Sequence, residues 1–213
     1  MADKPIYVRG GSSRNLFALR VALFVLVPAA LLFNYYVSTI ALSRDIKSIV
    51  FVHPLGWSYH SETTAVPNMR RIDYTAQGIA DAIARNHAVP LFLLSKYPSS
   101  EKRPNPLIGV NAYDLGANSP PAPEALLAAN LARVQSDAGG KLEVVEQIST
   151  LPLATLPAAR VVLRAPGKPL DRMTVYTMVA GHLSFTIVAS DASSGEDDVS
   201  ADLETFLANV AVD

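Results

Sequence analysis

No cysteine occurs among the 213 residues of this chain. That excludes a disulfide framework, a cysteine-ligated zinc site, a thiol nucleophile, an iron–sulfur cluster and a lipoprotein anchor. Charge is also scarce. Asp, Glu, Lys and Arg make up 17% of the residues and sum to a formal −1, so the basic surplus of a general nucleic-acid binder is missing. The Gly-x-Ser-x-Gly elbow, the Walker phosphate loop and the Gly-x-Gly-x-x-Gly fingerprint are absent as well. With no nucleophile, base and oxyanion signature, the sequence reads as non-enzymatic and implies no cofactor.

What the chain has in plenty is apolar surface. Half of the residues are hydrophobic and the mean hydropathy is +0.23. Much of this excess lies in residues 21–42, VALFVLVPAALLFNYYVSTIAL, which contain no charge. About 20 apolar residues span a bilayer as a helix, and Pro28 is tolerated in such a helix. Lys4, Arg9, Arg14 and Arg20 precede the segment, whereas only Arg44 and Lys47 follow it closely. The positive-inside rule therefore puts residues 1–20 in the cytoplasm and the bulk of the chain outside it. A cleaved signal peptide is the competing reading, with Ala41-Leu42-Ser43 as a small-x-small cleavage site. The long leading segment and the long apolar stretch favour an uncleaved signal-anchor.

The split also divides the charge. Residues 1–20 carry +3 and residues 44–213 carry −4. The expected organisation is a basic cytoplasmic tail (1–20), a transmembrane helix in the lipid bilayer (21–42) and an exported domain (43–213). The Ala-rich composition and anchor layout suggest a bacterial protein in the inner membrane, with a periplasmic C-terminal domain.

Within residues 43–213 the pattern is α+β. Strands are expected at 47–52, 89–96, 107–113, 142–148, 159–164, 173–180 and 183–189. Helices are expected at 71–87, 124–137 and 199–210. Gly181-His182 reads as a tight hairpin turn. Thr174, Tyr176 and Met178 fall on one face of their strand, and Val175, Thr177 and Val179 on the other. The resulting architecture is an antiparallel sheet flanked by helices.

Several motifs bear on a family. Pro54-Leu55-Gly56-Trp57 forms an early turn, Leu91 to Pro98 is an apolar strand ending in Lys-Tyr-Pro, Asn105-Pro106 precedes another strand, and residues 174–210 give a hairpin and final helix. In this order of elements the exported part resembles the Mog1/PsbP-like fold, over roughly residues 48–211. The resemblance implies a non-enzymatic binding or assembly domain, known for helping photosystem II at a membrane face or for binding a small GTPase. An exported domain fits only the first kind of role. The segment 60–87 is longer and more helical than the resemblance implies.

Candidate contact residues follow from chemistry. His53 and His60 flank a turn, so a converging pair could hold a metal or respond to pH. Trp57 and Tyr59 are either a recognition surface or core anchors. Asn34 and Ser38 share one helical face of the anchor and suit contact with another membrane helix. The acidic run Asp191, Glu196, Asp197, Asp198, Asp202 and Glu204 reads as a solubilising helix N-terminus rather than a calcium loop. The expected partner is a membrane or envelope protein complex that this accessory subunit assists or stabilises. The alternatives are a small-ligand or metal-binding envelope domain and, last, an exported hydrolase built on a Ser–His pair.

Overall fold

The computed structural model describes residues 46–60, 69–86, 88–116, 120–137 and 141–213. The basic tail and the 21–42 segment, with Asn34 and Ser38, lie outside the described residues. Among the described residues no helix is long and apolar enough to cross a membrane.

Among the described residues the domain is an α+β structure with two antiparallel sheets. The larger runs in the order β2 (Ser58–Tyr59), β4 (Ala88–Ser95), β5 (Leu107–Asp114), β9 (Leu183–Asp191), β8 (Arg172–Ala180), β7 (Leu156–Arg164), β6 (Glu143–Leu153). The smaller has β1 (Ser48–Val52) between β3 (Arg71–Thr75) and the terminal β10 (Ala211–Val212). The helices among the described residues are α1 (Ala76–Asn86), α2 (Pro123–Asp137) and α3 (Ser200–Ala208).

Alternation decides the two faces of the large sheet. Val110, Ala112, Phe185, Ile187, Met178 and Ala158 point inward to the main core. That core also takes Ile49, Phe51 and Ile72 from the small sheet, Ile79 and Ile83 from α1, and Leu203 and Phe206 from α3. Aromatic rings lock its centre. Phe206 stacks on Phe51 at 5.8 Å, and Phe92 meets Phe51 edge-on at 5.2 Å. On the opposite face, Leu127 of α2 packs against Ala159, Val161 and Leu163 of β7 in a second, smaller core.

Three elements differ from the expectation. The helix expected at 71–87 begins only at Ala76, because Ile72 and Tyr74 alternate and pair with Phe51 and Ile49 as strand. Thr75 then caps the helix, its Oγ1 accepting the Gly78 N–H at 3.1 Å. A side chain at Gly78 would press on that hydroxyl at 2.9 Å, so this glycine makes room for the cap. The β6–β7 hairpin is longer than expected because its turn is Ala154-Thr155, with φ of 50° and 68°. Non-glycine residues rarely take that conformation, so no turn signal marked it. The final helix stops at Ala208, and the chain closes as a short strand, Ile49 pairing with Val212.

Candidate functional site

The candidates on the early turn are drawn inward. Trp57 is 1% exposed, and its Nε1 donates to Asp202 Oδ2 at 3.1 Å. It is thus a core anchor tying the turn to α3, not a contact surface. His53 is 0% exposed, with Nδ1 3.0 Å from the Pro54 carbonyl oxygen and Nε2 without a hydrogen-bond partner. His60 is exposed beside the edge strand β2. A fully buried ring and an exposed one do not make a shared solvent-facing site, and the unpartnered Nε2 forms no Ser–His pair. Among the described residues no group of three or more His, Asp or Glu is placed to hold a metal ion. His182 sits exposed at the β8–β9 turn.

The acidic run has a structural task. The loop between β9 and α3 is fastened at three points. Arg172 donates from Nε to Asp191 Oδ1 at 3.0 Å and from Nη2 to Asp191 Oδ2, to Asp198 Oδ1 at 2.6 Å and to Ser200 Oγ at 2.8 Å. Asp171 accepts from Ser193 N–H and Oγ. Tyr97 donates to Asp197, while Arg103 reaches Asp197 at 3.2 Å and lies 4.0 Å over the Tyr97 ring. The Ser200 hydrogen bonds, with the Arg172 guanidinium beside them, hold the Asp198 carboxyl down at about 2. Burial and the hydrogen bond to Asp197 push the Tyr97 phenol up to about 12. Asp191 and Asp198 also accept the Val199 and Ser200 N–H groups, satisfying donors at the start of α3.

The outer face of the large sheet is different in kind. α2 packs over β6, β7 and β8, and beside it lies a groove of about 150 Å³. Leu127, Leu131 and Val134 of α2 form one wall; Val175 and Val188 form the floor; Asn111 and Tyr113 form the far rim. Among the described residues the only charged side chain lining it is Arg133. The apolar row continues across the sheet as Val175, Val188, Gly109 and Leu93. Leu93 folds over Gly109, where an added Cβ would stand 3.3 Å from Leu93 Cδ1. Leu93 is 39% exposed and Val134 36%. Three strands at about 4.8 Å spacing leave a strip about 10–14 Å wide, close to the diameter of one helix, about 10 Å.

This groove was not singled out from the sequence. Its signal was the second face of β8, where Met173, Val175 and Val179 lie opposite Thr174, Tyr176 and Met178. No known family model matches the chain, and no curated protein matches it. Among solved structures it is similar to the solution structure of cyanobacterial PsbP (CyanoP) from Synechocystis sp. PCC 6803. The TM-score is 0.46 and the identity 10%, covering 79% of this chain and 94% of that one.

Proposed function

We propose that the chain is a single-pass inner-membrane protein whose periplasmic, non-catalytic domain assists or stabilises a membrane protein complex, as the Mog1/PsbP-like resemblance implies. The observation that carries the docking role is the nearly uncharged strip on the outer face of the sheet that the described elements leave partly exposed. Apolar surface left beside a well-packed helix marks an interaction site, and a helix of an otherwise hydrophobic partner subunit fits its width.

Position supports the same partner. Only five residues separate the end of the 21–42 segment from β1. Fully extended they reach about 18 Å, so the anchor would hold the domain at the bilayer surface. Confinement there raises the effective concentration of a membrane partner, and a weak docking contact suffices.

Co-purification from membranes in mild detergent tests this. Tagged full-length protein should bring down a defined complex. Val134→Lys and Leu93→Lys should lose it, and Lys168→Ala, on the β7–β8 turn outside the groove lining, should keep it. Elution of the wild type alone under several mild conditions contradicts the reading. A reporter fused to the C-terminus and active only in the periplasm tests the orientation separately.

A further inference from the structure

The inner face of the large sheet is apolar along almost all its length. It turns polar at one corner. There Thr174, Tyr176 and Asp191 are more than nine-tenths buried, and Arg160 and Arg172 lie on the same face. Buried polar groups cost free energy unless they are paired. Much of this corner is spent on the Arg172 clamp, but a cavity of about 210 Å³ remains between β6–β8 and the first turn of α3. Glu146, Arg160, Thr174, Tyr176 and Glu204 line it.

The inventory of partners inside this cavity is uneven. Arg172 is engaged by Asp191, Asp198 and Ser200. Arg160 gives Nη1 to Glu146 at 2.5 Å, while its Nε has no partner. Glu204 makes no ion pair with any described residue. All three charged groups act on the same phenol: burial raises the Tyr176 pKa, Arg160 lowers it by its charge and a hydrogen bond, and Glu146 and Glu204 raise it. A guanidinium with an unpartnered Nε and an exposed carboxylate that makes no ion pair among the described residues thus flank a buried tyrosine. A simple anion would meet Glu146 and Glu204, and a simple cation would meet Arg160 and Arg172. A molecule carrying both charges a few bonds apart meets neither penalty. The volume is below the roughly 300–1,000 Å³ of drug-sized pockets, so the ligand is small.

We propose that this cavity binds a small zwitterion of the α-amino-acid class, its carboxylate toward Arg160 and its ammonium toward Glu204, with the Tyr176 and Thr174 hydroxyls between them.

Calorimetric titration of the full-length protein in detergent tests the proposal, with glycine, L-serine, L-glutamate and L-lysine as probes. Acetate and methylammonium serve as half-ligands and glucose as a neutral solute. At least one amino acid should bind saturably, with each half-ligand at least about tenfold weaker. Glu204→Gln, at an exposed position, should weaken binding about tenfold or more while leaving the melting temperature unchanged. Arg160→Met should do the same, and retained Trp57 fluorescence will report that it still folds. The proposal is overturned if no amino acid binds below about 10 mM, if acetate or glucose binds as well as the amino acids, or if both variants bind like the wild type.

Discussion

Replacing Arg172 by Met should be among the most damaging single changes on the domain surface. Arg172 supplies two of the three hydrogen bonds that reach the Asp191 carboxylate, the third coming from the Val199 N–H. Asp191 is 2% exposed, so water replaces the lost bonds poorly. Removing one partner of a buried ion pair costs about 3–5 kcal/mol, because the other charge stays buried. In a domain of this size about 1 kcal/mol moves the melting temperature by about 2–4 °C, which gives a fall of about 10 °C. Asp191→Leu in the same background removes the stranded charge. The double variant should therefore recover part of the loss, with a coupling of about 1–3 kcal/mol. The chain has a single tryptophan, buried in the core, so urea and thermal unfolding can be followed by its emission. A loss below about 1 kcal/mol for Arg172→Met, or strict additivity in the double variant, would refute the argument that Asp191 depends on this arginine.

Further expectations follow from the same geometry. Phe206→Ala opens a cavity among Phe51 and Phe92 and should cost about 3–5 kcal/mol in urea unfolding. Ala154→Asn with Thr155→Gly gives the β6–β7 turn residues suited to its positive φ angles, and should raise stability by about 1 kcal/mol in the same assay. The Asp198 carboxyl is depressed in the folded state, so its contribution is full above the unfolded value of about 3.9 and is lost as pH falls toward about 2. Asp198→Asn should accordingly flatten the stability profile between about pH 4 and pH 2 and leave its shape near neutrality unchanged. Trp57→Phe keeps the aromatic body but loses the bond to Asp202, and should cost about 1–2 kcal/mol by circular dichroism melting.

Most of the strand content was legible because β-branched and apolar residues alternate over runs such as 107–113 and 173–189, and Gly181-His182 marks the hairpin between the last two strands. Where the sequence misleads, a local signal is overruled by pairing. Ile72 and Ala76 share helical spacing, yet Ile72 lies opposite Phe51 in a strand. Ala154-Thr155 carries no turn chemistry and is held in its conformation by the hairpin on either side. The closing strand is only two residues long and is formed by β1 reaching it, a long-range event with no local pattern.

The candidate sites were less legible than the fold. His53 and Trp57 stand out by residue type, but burial removes both from any surface. The outer groove depends on which strands α2 leaves bare, and hydrophobic periodicity cannot rank strands in space. The polar corner had one readable hint: Arg172, Thr174 and Tyr176 occupy the strand face that continues as Met178 and Ala180. Its meaning depends on Arg160 and Glu146 arriving from two neighbouring strands.

The docking claim is tested most directly by a photo-cross-linking side chain placed at position 134 in the full-length protein in its native membrane, with position 168 as the reference. The account predicts a discrete cross-link to one membrane subunit from 134 and none from 168. No cross-link from 134, or the same products from both positions, would contradict it.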